Sequence, residues 1–209
     1  MKLQTFANTA KKSHCCIVIT AGKEAESDEM LLSNGAAIYK CGCIPSVHGL
    51  EQICELLDIH GKQREKISIT EEIYQSLDTI GQHFNLKDGE TPDEADTERV
   101  HISVTYNGRD YAAVKCSDGE LLFFHRELLA PLANEMTKNP YFRLTSRIAD
   151  TGKNKFRYLL AKDGFATLAV ILPCRLLSER FMKDLDEFTK DCVGQKQLEE
   201  DREKHKDEA

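Results

Sequence analysis

The side chains best equipped for chemistry lie in the first quarter of the chain. His14, Cys15, Cys16, Cys41, Cys43 and His48 combine thiols with imidazoles, the donors zinc takes in a tetrahedral set at about 2.0–2.3 Å. Pairing of a strand over 14–20 with one over 36–43 would bring Cys15 or Cys16 towards Cys41 or Cys43. The spacings are unlike the usual C-x2–4-C knuckle, since the pairs read CC and C-x-C. On a strand, Cys41 and Cys43 share a face, whereas Cys15 and Cys16 point to opposite faces. Free cysteine also packs as a small apolar residue. The six residues are therefore candidate metal ligands, with zinc the one cofactor they imply and core packing the competing role.

A nucleophilic thiol needs a neighbouring histidine or a helix N-terminus to lower its pKa. Cys174 precedes an expected helix, and Cys43 lies close to His48 in sequence. Neither belongs to a nucleophile motif. The chain also lacks a Walker-type loop, G-x-G-x-x-G, G-x-S-x-G and H-E-x-x-H. Asp118 and Asp163 each precede a glycine and read as turn residues rather than paired acids. No catalytic or cofactor-binding residue is nominated, and a non-enzymatic role is the expectation.

The elements that must hold these residues follow from periodicity and turn chemistry. Strands are expected over 14–20, 36–43 and 66–69, with helices over 46–57, capped by Ser46, and over 70–84, capped by Thr70. The segment 88–98 carries six acids and one proline and reads as a surface loop. Asn107-Gly108 between alternating runs predicts a hairpin of 100–106 with 109–116, because both turn residues must accept positive φ. Asp118-Gly119 leads into a strand over 120–124, and a helix over 126–136 is disturbed at Pro131. Strands over 141–148, 156–161 and 165–172 follow, with turns at 150–153 and at Asp163-Gly164. Pro173 is expected to open a helix reaching about 188.

The predicted fold class is α+β, with a largely antiparallel sheet and about three main helices. The expected divisions are an N-terminal α/β subdomain over 1–59, an α+β region over 60–193 and a charged tail over 194–209. Within the second, a strand-helix-strand-strand-strand unit occurs over 66–124 and again over 120–172. Helix starts near 70, 125 and 173 fall about fifty residues apart, a period typical of a supersecondary repeat.

That unit resembles the repeat of the DNA sliding clamps over about 66–188. The likeness rests on Leu159-Leu160-Ala161-Lys162-Asp163-Gly164-Phe165-Ala166-Thr167-Leu168-Ala169-Val170, a strand pair about Asp-Gly, and on Val170-Ile171-Leu172-Pro173 leading into a helix. The resemblance implies a clamp-like accessory role in DNA metabolism and a homo-oligomer. The chain departs from the family in its expected helices. The one after Thr70 begins Glu71-Glu72 with no Lys or Arg through Ile80, and in the last, Arg175, Arg180 and Lys183 are offset by Glu179, Asp184, Asp186 and Glu187. A basic lining for a DNA-bearing hole is missing from both.

Composition narrows the partners. Against 28 Lys and Arg stand 35 Asp and Glu, a formal charge of −7 over 209 residues. Phosphate neutralisation supplies most non-specific nucleic-acid affinity, so direct nucleic-acid binding by the monomer is not expected. Apolar stretches reach about nine residues where a bilayer needs about twenty, so no membrane partner is expected. Eight cysteines without an export signal favour reduced thiols and a cytoplasmic setting. The expected function is binding of another macromolecule, chiefly protein; the alternative is a zinc- or thiol-dependent protein built on the Cys/His cluster.

Overall fold

The computed structural model describes residues 1–21, 29–41, 49–77, 80, 83–176 and, within 180–196, all but 182, 186, 193 and 195. The chain forms two units, Met1–Cys174 and Arg175–Ala209. In the second, the described residues between Arg180 and Lys196 are helical. The helix expected to begin at Pro173 does not, because the chain is still extended there: the Cys174 N–H donates to the Phe123 carbonyl at 2.6 Å.

The first unit is built on one ten-stranded sheet. Its strands are β1 (Cys15–Ala21), β2 (Glu29–Ser33), β3 (Ala37–Lys40), β4 (Ser68–Tyr74), β5 (Ala95–Tyr106), β6 (Arg109–Cys116), β7 (Leu121–His125), β8 (Phe142–Asp150), β9 (Lys155–Asp163) and β10 (Ala166–Ile171). They lie in the order β4-β1-β2-β3-β10-β9-β8-β5-β6-β7. Only the β1–β4 pair is parallel. The described helices of this unit are α1 (Leu3–Ser13), α2 (Leu50–Leu56), α3 (Ala133–Lys138) and the 3-10 segments Gly61–Lys66 and Arg126–Leu132. The mixed, mainly antiparallel class expected from sequence is therefore present.

Strands from both sides of residue 59 share this sheet, with β1 between β2 and β4 and β3 against β10. Residues 1–59 thus do not stand apart as a subdomain. The expected helix over 70–84 is also corrected. Residues 68–74 read SITEEIY, and the parallel ladder on β1 takes them as the edge strand β4. The strand-helix-strand-strand-strand unit survives once, as β7, the 3-10 segment with α3, then β8, β9 and β10. Its expected first copy has no helix among the described residues of 70–94.

Turn chemistry was decisive where it was read. Asn107 and Gly108 hold φ of 51° and 71°, as the tight β5–β6 hairpin demands. In β5 the register then slips, with Val100 facing Ala113 and Ser103 facing Ala112. Two extra residues on one strand make a bulge, which bends the strand and re-aims its side chains. Three residues beyond β10, Cys174 bridges Phe123 of β7. The run β10-β9-β8-β5-β6-β7 thus returns to its own start through a single bridge.

Each face of the sheet has its own cover. On one face α1 packs Phe6, Ala7 and Ala10 into the core with Val18, Leu32, Tyr39, Leu159 and Ile171. Phe6 meets Tyr39 edge-on at 5.6 Å, and the Tyr39 hydroxyl donates to the Leu128 carbonyl at 2.7 Å, which ties β3 to the 3-10 segment. On the other face Ile80, Phe84 and Leu86 pack against Ile19, Leu31, Tyr158 and Leu160.

The acidic segment after them is a strap rather than a solvated loop. The Arg147 guanidinium donates to Glu94 Oε2 from Nε at 2.9 Å and from Nη2 at 2.7 Å, and to the Asn85 and Gly89 carbonyls at 2.9 Å. Lys162 Nζ donates to Glu94 Oε1 and to the Gly89 carbonyl, each at 2.7 Å. The side chains of Arg147 and Lys162 are 0% exposed and that of Glu94 is 5% exposed. Buried charges persist only when paired and hydrogen-bonded, and this segment supplies both the carboxylate and the carbonyls. Burial alone would push the Glu94 carboxyl up; the hydrogen bonds from Lys162 and Arg147 outweigh it and hold the pKa below the usual carboxylate range.

Candidate functional site

The cysteine and histidine cluster is dispersed by the sheet. β2 lies between β1 and β3, so the expected pairing of the two cysteine-bearing strands does not form. His14 is the left-handed C-cap of α1, with φ of 55°. Cys15 and Cys16 point to opposite faces as the strand requires, and Cys16 is fully buried in the core beneath α1 and α2 with Cys54. Cys41 packs against that same core. Cys43 and His48 lie outside the described residues. Among the described residues no three His, Cys, Asp or Glu side chains are grouped to hold a metal ion.

The surroundings of Cys15, Cys16, Cys41 and Cys174 favour the protonated thiol. Burial pushes Cys16 and Cys41 up to about 12. Cys15 is raised by burial and then by Glu72. Cys174 is raised by burial against a smaller opposing effect of the His125 backbone and Arg109. Since the thiolate is both nucleophile and metal ligand, these surroundings suit packing.

The larger concave feature was not anticipated from sequence. A cavity of about 580 Å³ lies between the bulged β5, β6 and β7 on one side and the 3-10 segment with α3 on the other. Its wall is mainly apolar, with Val100, Val114, Phe124, Leu129, Met136 and Leu144 contributing. The bulge places His101 on it, beside Arg99. Arg99 rests over the Phe142 ring at 5.9 Å, and exposed Arg126 stands where the 3-10 segment begins.

A second cavity of about 370 Å³ adjoins it and shares Asp110 and Glu127. It is lined by the end of α1, the β2–β3 turn, the β5–β6 hairpin and the end of β7, through residues that include Lys12, Asn34, Arg109 and His125. Both acids are already engaged. Asp110 accepts from the Thr105 hydroxyl at 2.6 Å, and Glu127 accepts from Lys12 Nζ at 2.8 and 2.9 Å. His125 lies against Tyr111 with ring centroids 4.5 Å apart. Burial, and then the charge of Arg109, lowers its pKa.

These side chains come from positions 9 to 144 and from seven helices and strands, so no local spacing announces them. The available signals were the charged stretch His125-Arg126-Glu127 at a strand-to-helix junction, which helix-end chemistry also explains, and the tight Asn107-Gly108 turn. The fold and the site together define an antiparallel-sheet protein with a one-sided, cation-rimmed apolar groove. In comparisons with protein-family models, with curated proteins and with solved structures, the chain matched none.

Proposed function

We propose that this chain is a non-enzymatic binding module that takes a short apolar segment of another protein into the larger cavity. The observation that carries the reading is the cavity itself, about 580 Å³ of space walled by apolar side chains. Protein interiors are otherwise close-packed, and clefts of about 300–1,000 Å³ with a mainly apolar wall and a few placed polar groups are the usual form of a ligand site. Asp110 and Glu127 are committed to Thr105 and Lys12, which favours recognition over turnover. A link to DNA metabolism rests on the clamp resemblance alone, and the groove reading does not depend on it.

The test is selection of peptides from a random display library on the full chain, with two blocked variants as comparators. Ala133, half-buried at the start of α3, lines the cavity, and Ala133→Trp would fill it. Met136→Lys would place a charge in its wall. The expected result is a set of apolar peptides that bind the wild type and lose about tenfold or more in affinity on either variant, roughly 1.4 kcal/mol or more, while both variants keep their circular dichroism. A failure to enrich any peptide, or equal binding to both variants, would refute the reading.

A further inference from the structure

We propose that the smaller cavity is the anion-binding end of the same site, and that the bound segment carries an acidic side chain next to its apolar residues. The inference rests on the groove reading above and names the chemistry of its occupant.

Asn34 supplies the first observation. The residue is 3% exposed, and its Oδ1 is consumed by the Ala36 and Ala37 N–H groups at 3.1 and 2.9 Å. Its amide nitrogen has no hydrogen-bond partner among the described residues, and the residue lines the smaller cavity. That nitrogen is not one of the buried polar atoms left without a partner, so it reaches the space of the cavity and can donate there to an acceptor from outside the chain.

Arg109 supplies the second. It is exposed at the base of the β5–β6 hairpin, lines the same cavity, and makes one 3.5 Å contact to His125 Nε2. The fork of a guanidinium suits a carboxylate, and such charge-assisted bonds are the strong ones. One guanidinium and one neutral amide match a singly charged carboxylate, whereas a phosphate dianion calls for more positive charge.

The balance of charge over both cavities points the same way. Lys12, Arg99, Arg109 and Arg126 face Asp110 and Glu127, so four cations stand against two acids, on a chain whose formal charge is −7. The shared boundary at Asp110 and Glu127 makes the two spaces neighbours. Apolar side chains in the larger cavity would thus stand beside a carboxylate in the smaller.

The test uses the peptides selected above, each made with its acid and with that acid changed to glutamine, on the wild type, Arg109→Gln and Asn34→Asp. The last keeps the acceptor that the β2–β3 turn uses and removes the donor. Selected peptides are expected to carry Asp or Glu beside apolar residues. The glutamine form should bind the wild type about tenfold more weakly, and this difference should shrink to within about twofold on either variant. Groove-dependent peptides without an acid, or an unchanged difference on both variants, would overturn the anion end and leave the groove reading standing. Displacement by inorganic phosphate at concentrations where acetate is inert would overturn the carboxylate assignment. A selection that yields no groove-dependent peptide would remove both readings.

Discussion

Removing the Glu94 charge tests the strap most directly. Glu94 accepts two bonds from Arg147 and one from Lys162, at 2.7 to 2.9 Å, and both cations are 0% exposed. In Glu94→Gln the shape is kept but two buried cations face a neutral group, with the Asn85, Lys87 and Gly89 carbonyls as their remaining hydrogen-bond acceptors among the described residues. Breaking a buried ion pair by neutralising one partner costs about 3–5 kcal/mol, because the remaining charge is left uncompensated. For a unit of this size, about 2–4 °C is lost per kcal/mol, so the melting temperature should fall by on the order of 10 °C.

Urea unfolding at pH 7 gives the free energy, and an unchanged m-value shows that the same surface is being exposed. The pH dependence supplies a second check. The Glu94 pKa is lowered on folding, so its contribution is present above the unfolded carboxylate pKa and is lost as pH falls through the folded one. Wild type should therefore lose stability on acidification more steeply than Glu94→Gln, and the two curves should converge at low pH. A loss below about 1 kcal/mol at pH 7, the scale of a surface pair, would refute the claim that this carboxylate pins the strap. A triple change of Glu94, Arg147 and Lys162 to apolar residues should recover much of the loss, since an apolar replacement leaves no orphan charge.

Three further outcomes follow from the packing. In a native thiol titration at pH 8, exposed Cys192 should react ahead of the other described thiols. Cys16 and Cys41, both pushed up to about 12 by burial, should react only on unfolding; fast labelling of either would contradict their placement. Tyr39→Phe removes the hydrogen bond from that buried hydroxyl to the Leu128 carbonyl and should cost about 1–3 kcal/mol in urea unfolding, as expected for an acceptor left unpaired. No measurable cost would show that β3 and the 3-10 segment are not coupled through this bond. Gly35→Ala should destabilise by about 1 kcal/mol or more, since Gly35 has φ of +82° and a new Cβ would lie 3.4 Å from Cys15 Sγ; equal or greater stability would argue against this turn geometry.

What the sequence determined by itself is local. Asn107-Gly108 and Asp163-Gly164 announced their hairpins because a two-residue connection leaves few backbone solutions, and the strands flanking them alternate cleanly. The two apolar positions of helix α1 that matter most, Phe6 and Ala10, stand one turn apart, and with Leu3 and Ala7 they form a helical stripe. No helix was expected there, because the start of the chain reads as polar and broken. The run SITEEIY was ambiguous for a different reason. Thr70 followed by Glu71 and Glu72 reads as a helix start, and Ile69 and Ile73 fit one face of a helix, while the β-branched Ile69, Thr70 and Ile73 suit a strand. Only the open edge of β1 decided between them, since a strand gains its hydrogen bonds from a partner that sequence does not name.

The acidic segment and the groove belong wholly to the tertiary structure. Nothing near Glu94 in sequence indicates that Arg147 and Lys162, over 50 residues away, will be buried beside it, because burial turns an ordinary surface acid into an obligatory counterion. Likewise Asn34, Arg109 and the apolar wall from Val100 to Leu144 meet only because the β5 bulge and the Phe123–Cys174 bridge curl the sheet. Local chemistry sets which segments become strands and turns; concavity, and the convergence of donors on it, arise from how distant strands pair and bend.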